Sequence, residues 1–507
     1  MSQLLAKLDH WKPFTAIVVG DFMLDQLVYG HADRLSPEAP VPVLHAQRTE
    51  DRPGGAANVC LDLIAMHATV HAVGVTGDDR EADLLRSALV AAGVNSDGLV
   101  TDSSRPTTVK RSLIGLAQHR HPQKMFRVDY ESREPMPASA VAHAVAHVER
   151  LLPSAHVVCI EDYHKGVCTT ELCQAVIAAA RRRGVPVLVD PAAINDYTKY
   201  RGASAVTPNR TEATGATGDK LPPEASPELF IPIAERLLKE LDLDAAIITL
   251  DRHGCLLLER NAPPRVVPTF ARQVYDVTGA GDMVLAALAA AMANGIGWPD
   301  AVRFANAAAG LEVEVFGVVP MSIEKIHREC LLREPDHADG RPLGKVRTLQ
   351  QAQIEAAAVR SEGKRVVFAN GCFDVLHRGH TQLLDRAAKL GDFLVVALNS
   401  DESVRRLKGH KDPTRPINTE HDRAAVLAAL SCVGAVVIFD DDTADRTILA
   451  IKPDIVVKGA EYTAEQVPEA PTVRSYGGRL VLLDMVDGKS TTRTVARIRA
   501  ANSHVDS

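Results

Sequence analysis

With 507 residues, 46% of them apolar and 24% charged, the chain has the composition of a soluble globular protein and too much length for one ordinary core. A formal net charge of −7 excludes a general electrostatic attraction to nucleic acid or to an anionic membrane surface. The eight cysteines are scattered, mostly inside apolar runs and never as CxxC, which points to reduced thiols in a cytoplasmic protein and away from a disulfide framework or a zinc site. The opening MSQLLAKLDHWKPF has no basic segment followed by a long apolar core, and the longest apolar helix candidate, VLAALAAAMA from Val284, is too short to cross a bilayer.

From Thr15 to about Gly317, short β-rich runs (TAIVVG, ATVHAVGV, AHVVCI, VPVLVD, AAIITL) alternate with longer amphipathic stretches such as ELCQAVIAAARRRG. That alternation predicts an α/β domain with a sheet covered on both faces. VPVLHAQ, TTVKRSLIG and KMFRVDY interrupt the rhythm with extended segments that could form a small β lid over a pocket. Across 333–346 the text becomes REPDHADGRPLGKV, charged and aperiodic, and reads as a linker. After the helical LQQAQIEAAAVRSEGK the alternation restarts with KRVVFAN, FLVVALNSD, GAVVIFDDD, DIVVKG and RLVLLD. The expected organisation is therefore a first domain over 1–332, the linker, and a smaller α/β domain over 347–507.

DVTGAGD, residues 276–282, sets a turn of Gly279, Ala280 and Gly281 against the start of a strongly apolar helix, so that backbone N–H groups face whatever lies beyond the helix end. An anion is the natural ligand. Asp282 beside it reads either as a helix cap or as a general base for a sugar hydroxyl. Upstream, GDFMLD (20–25) and RPGGAANVC (52–60) offer polar groups and paired glycines suited to a polyhydroxylated substrate. In TPNRTEA, Asn209 and Glu212 suit a magnesium shell and a nucleotide phosphate, or equally a helix N-cap with an acidic first turn.

In this order the segments resemble the ribokinase-like (PfkB-type) carbohydrate kinases. The resemblance implies that Asp282 is the catalytic base, that Gly279, Ala280 and Gly281 form the anion hole, and that Asn209, Arg210, Thr211 and Glu212 belong to the ATP site. Glu212 would act on Mg²⁺ indirectly. Asp21, Asp25, Gly54, Gly55 and Asn58 would line the sugar pocket. In VDPAAIND, Ala192 stands where that family commonly carries lysine.

NGCFDVLHRGH, residues 370–380, places His377 and His380 three apart at the mouth of the helical TQLLDRAAKLG, with Gly379 allowing a phosphate close to the backbone. No third ligand at suitable spacing follows, which discounts zinc. Hydrogen-bond donation to nucleotide phosphates is the better role. The frame resembles the Rossmann-like HxGH cytidylyltransferase-like nucleotidyltransferases, and RRLKG, HDRAAVLAAL, DIVVKGAEY and DGKSTTRTV follow in that family's order. By that resemblance Lys408, Arg423 and Lys458 would balance triphosphate charge, and Ser490, Thr491 and Thr492 would open a phosphate-binding helix.

A kinase of the first kind ahead of a transferase of the second resembles the bifunctional heptose 7-phosphate kinase/heptose 1-phosphate adenylyltransferases. RLSPEAPVPV, DRPGGAANV, QVYDVTGAGD, FANAAAG and LNSDESVRRLKG carry that likeness. It implies phosphorylation of D-glycero-β-D-manno-heptose 7-phosphate at O1 by ATP, removal of the 7-phosphate by a separate phosphatase, and adenylyl transfer giving ADP-heptose and pyrophosphate. Mg²⁺ would accompany ATP, the protein would be a homo-oligomer, and neither nucleic acid nor membrane would be a partner. Lys110, Arg111, Arg127 and Asp129 from the lid would receive the 7-phosphate. The residues themselves leave a different sugar phosphate, or CTP in place of ATP, open.

Overall fold

The computed structural model describes residues 3–483 apart from 9, 117–121, 223, 270–273, 316, 334–344, 411 and 460–465. It divides into two compact units, Met1–Ile326 and His327–Ser507. Most of the expected linker, 334–344, and the whole Ser490–Thr492 turn lie outside the described residues.

The first unit is built on a nine-stranded sheet. Its order is Arg265–Val267, Cys255–Glu259, Ala245–Thr249, Ala205–Val206, Val187–Asp190, Val157–Glu161, Phe14–Gly20, Ala68–Thr76, Asn95–Thr101. The strands pair in parallel except for the two at the Arg265 edge. Runs such as Ala16 to Val19 are fully buried because helices cover both faces, which is why they read as continuous apolar stretches rather than alternating ones. Strand Phe14–Gly20 lies where the winding reverses: the chain first runs outward through Ala68–Thr76, then returns to Val157–Glu161 on the other side. Loops leaving the carboxyl ends of these neighbours diverge and open a crevice, the usual ligand position in such sheets.

The lid exists, with one member not anticipated. A separate four-stranded sheet runs Pro42–Gly55, Phe22–Leu35, Thr108–Gly115, Gln123–Tyr130. The segment expected only to supply polar groups, GDFMLD, is thus the root of a 14-residue strand.

In the second unit six strands, all parallel, run Val346–Arg347, Ala435–Phe439, Phe393–Asn399, Val366–Gly371, Ile455–Gly459, Arg479–Leu483. Successive side chains separate onto two cores: Val366 and Phe368 pack on one face, Val367 and Ala369 on the other. The reversal falls between Val366–Gly371 and Ile455–Gly459, so NGCFDVLHRGH leaves the sheet at its crevice.

Candidate active sites

In the first unit, helix Ala280–Ala293 starts from Gly279, whose φ of 90° belongs to the left-handed region that glycine enters freely. A Cβ there would also lie 2.8 Å from Glu312 Oε1, so only glycine fits this turn. The first-turn N–H groups have no acceptor within the helix, Ala280 N–H reaching back to the Val277 carbonyl at 3.4 Å, and residues 279–281 are half-buried to exposed.

Asp282 does not cap that helix. Its Oδ2 accepts from Asn58 Nδ2 and its Oδ1 from Tyr163 Oη, both at 2.8 Å. Burial pushes the carboxyl up to about 6, while the two donors and Lys110 pull the other way. An ionised base with raised proton affinity at neutral pH is the result. Asn58 therefore does more than line a pocket: it holds the Asp282 carboxylate in place.

Asn58, which holds Asp282, also lines a cavity of ≈ 520 Å³ together with Asp25, Lys110, Lys124 and Arg127 among others. Asp25 and Gly54 meet across paired strands, and a Cβ on Gly54 would come within 2.6 Å of the Asp25 carboxylate. Lys110 also sits 4.5 Å over the Tyr163 ring. Arg127 is clamped at the rim by both oxygens of Asp129, each at 2.9 Å.

Two expectations for this pocket need correction. Arg111 points to the opposite face of the lid strand from Lys110, because adjacent strand residues alternate; it donates to Gln26 Oε1 at 2.8 Å and lies over Tyr130. Asp21 is 1% exposed, and its carboxylate accepts from the backbone N–H groups of Tyr163, Lys165 and Val167. It pins the loop that presents Tyr163 instead of lining the pocket.

Asn209 and Glu212 form a reciprocal capping box on helix Arg210–Thr217, the plainer of the two expected readings. The Glu212 charge adds to the burial that raises Asp190. Thr211 is exposed. Arg210, expected in the ATP site, is instead spent on the protein: it donates to Asp251, to the carbonyls of Ala225 and Leu250, and to His253. Gly55, with φ of 56°, ends the lid strand and starts helix Ala56–Ala65. Ala192 is buried.

Glu161, Asp190 and Asp282 bring carboxylate oxygens within 4.8 Å of one another. Burial pushes Glu161 and Asp190 well above the ordinary carboxylate range, with repulsion from Asp190 and Asp282 adding at Glu161 and from Glu212 and Asp282 at Asp190. Glu161 Oε2 is buried without a hydrogen-bond partner, and the Asp282 oxygens are already engaged. A divalent cation fits between Glu161 and Asp190 on charge and donor chemistry.

In the second unit, His377 is the N-cap of helix Arg378–Ala388 and His380 lies in its first turn. Their rings stack at 3.8 Å and 17°, and Phe373 packs edge-on against His380 at 5.2 Å. Burial, with His377 and Arg415 adding, pushes His380 down to about 4, so it is a neutral donor at physiological pH. Gly379 is buried between them. Lys408 is exposed in the last turn of helix Asp401–Lys408. Lys458 is paired with Glu469 at 2.7 Å.

Arg423 is not available to a triphosphate. It is 2% exposed and donates to the carbonyls of Cys372, Asn399 and Asn418 and to Asp401. It ties the motif loop to the neighbouring strand end.

A sequence profile described as pfkB family carbohydrate kinase matches residues 15–325, and one described as Cytidylyltransferase-like matches residues 368–481. The Bifunctional protein HldE of Geobacter metallireducens is 44% identical over 492 residues, 97% of this chain and 97% of its own. That of Pseudomonas aeruginosa is 44% identical over 483 residues, 95% of this chain and 97% of its own. The chain belongs to the family of bifunctional HldE proteins. Among solved structures, phosphofructokinase-2 from Escherichia coli in complex with substrates and products is 16% identical with a TM-score of 0.52, covering 63% of this chain and 99% of its own, a likeness of fold alone.

Tyr163, Glu161, Asp374 and Arg415 were not singled out from sequence. For the first two the available signal was EDY directly after the apolar run HVVCI, a strand end where buried carboxylates have little structural reason to gather.

Proposed function

We infer that the chain is a two-reaction enzyme of ADP-heptose biosynthesis. The first unit phosphorylates D-glycero-β-D-manno-heptose 7-phosphate at O1 with ATP; the second transfers adenylate from ATP to heptose 1-phosphate. The observation that carries the kinase reading is the carboxylate of Asp282, buried and held by two donors, one of which, Asn58, lines a cavity shared with Lys110, Lys124 and Arg127.

Asp282 accepts the proton of the anomeric hydroxyl as that oxygen attacks the γ-phosphorus, and the N–H groups of the Gly279–Gly281 turn stabilise the equatorial oxygens in flight. Tyr163 and Asn58 keep the base from rotating away. Lys110 and Lys124, with Arg127 at the rim, bind the 7-phosphate, which places O1 at the other end of the cavity. Glu161 and Asp190 would hold Mg²⁺, with Glu212 adding to the local negative field, and the ion would neutralise charge on the ATP phosphates. In the second unit the neutral imidazoles of His377 and His380 donate to phosphate oxygens, and the N-terminus of helix Arg378–Ala388 adds its dipole.

A separate phosphatase acts between the steps, because the kinase product carries two phosphates and the transferase needs only the one at C1. A homo-oligomer fits the exposed Leu35, Met125 and Phe126 on the lid sheet. A cytoplasmic setting fits the eight cysteines, which stand as thiols and not as disulfides.

Mass spectrometry of products from heptose 7-phosphate and ATP is the test. The 1,7-bisphosphate should form alone, and ADP-heptose should appear only when a phosphatase is added; ADP-heptose without one, or no turnover of the heptose, contradicts the assignment.

A further inference from the structure

With Arg423 sealed inside and Lys458 neutralised at its charge centre by Glu469, the cations expected to meet the nucleotide in the second unit are mostly committed elsewhere. The imidazole of His380, with its depressed proton affinity, brings no charge of its own. A triphosphate nevertheless needs positive charge where the leaving group departs. Arg415 can supply it.

Asp374 lies within the motif itself, four residues after Asn370, and is 1% exposed. One oxygen accepts from the N–H groups of Ile417 and Asn418 at 2.7 and 3.2 Å, and the other from Arg415 Nε at 2.8 Å. The carbonyl of Asp374 accepts from Asn418 Nδ2 at 2.7 Å. The motif thereby fastens segment 415–418 to itself through four contacts. Pairing through Nε alone leaves both Nη groups of Arg415, which donate to no described residue. The side chain is only 10% exposed, so its rotamer is held, and its charge is felt at both Cys372 and His380. A guanidinium anchored at one nitrogen with two amino groups presented in parallel matches two oxygens of a phosphate.

We propose that Arg415 binds the β- and γ-phosphates of ATP in the second unit and holds them as pyrophosphate departs. This rests on the reading of NGCFDVLHRGH as the nucleotide site. In the step, a phosphate oxygen of the sugar 1-phosphate forms a bond to the α-phosphorus, the bond from that phosphorus to the bridging oxygen breaks, and pyrophosphate leaves with the electron pair. No electron acceptor is involved. Asp374 acts through Arg415 and is a positioning residue.

The test uses the full chain in both directions: ATP with heptose 1-phosphate forward, ADP-heptose with pyrophosphate in reverse. Loss of one charged hydrogen-bonding group predicts that Arg415→Gln raises the KM for pyrophosphate about 10- to 150-fold and lowers forward turnover comparably, with the KM for heptose 1-phosphate unchanged. Arg415→Lys should recover part of both. Unchanged pyrophosphate KM in Arg415→Gln overturns the proposal, and so does an effect confined to heptose 1-phosphate, which would assign the guanidinium to the sugar's phosphate. If Arg415→Gln does not fold, Arg415→Lys alone decides by the same two constants. His380→Ala separates the underlying reading: adenylyl transfer intact in that variant would mean that the site is elsewhere, whatever Arg415 does.

Discussion

Replacing Asp282 by asparagine removes the proton acceptor of the kinase while keeping its shape. General-base catalysis contributes about 10²- to 10⁴-fold, or about 2.7–5.4 kcal/mol at about 1.36 kcal/mol per tenfold. The upper half of that range is expected here. The carboxylate accepts from both Asn58 and Tyr163, whereas an amide offers one oxygen and turns its NH₂ on the other donor, so geometry suffers with chemistry. Steady-state ADP release with heptose 7-phosphate measures the loss, and pyrophosphate release with heptose 1-phosphate measures the second unit on the same sample. A second readout has a defined sign. Because burial raises this carboxyl from 3.8 to about 6, the folded state holds its proton more tightly than the unfolded one, and the parent loses that stability as pH rises through the interval. Asparagine lacks this loss, so the stability difference between variant and parent should move in the variant's favour from about pH 4 to about pH 7. Kinase turnover reduced less than about tenfold, or adenylyl transfer falling in parallel in a folded protein, would refute the reasoning.

His380→Ala should lower adenylyl transfer about 10²- to 10³-fold and leave ADP release by the kinase unchanged, checked with the same pair of assays. Lys110→Met should raise the KM for heptose 7-phosphate about tenfold or more, whereas Arg111→Met, altered on the other face of the strand, should leave it near the parent value in initial-rate measurements. Arg423→Met strands three carbonyls and Asp401 in the interior and should cost about 3–5 kcal/mol, read as earlier unfolding of the second unit in urea. Glu312, 1% exposed and pushed up to about 8 by burial, stabilises the fold only while protonated; that contribution fades as pH rises from 4.5 through about 8. Glu312→Gln should flatten the decline in thermal midpoint across that window.

The sequence by itself determined the two α/β units, the lid and the two glycine-bearing turns at the starts of helices Ala280–Ala293 and Arg378–Ala388. Each of these is written in neighbouring residues: a strand or helix period, or a glycine-bearing turn that opens a helix, as in Gly279 to Gly281 and around Gly379. Asn209 and Glu212 were legible for the same reason, down to their capping partnership. Only the tertiary structure decided which side chains meet. Tyr163, Glu161 and Asp190 reach Asp282 because strands far apart in the chain become neighbours where the sheet reverses its winding, and no local spacing encodes that order. The pleat put Lys110 in the cavity and Arg111 outside it, a matter of strand register against the lid. In the second unit, burial decided between two arginines: Arg423 came to rest where every available carbonyl needed a donor, and Arg415 where one anchor left its remaining donors to spare. A charge in a sequence states what a residue can bind; the desolvation and partners it meets on folding determine what it does bind.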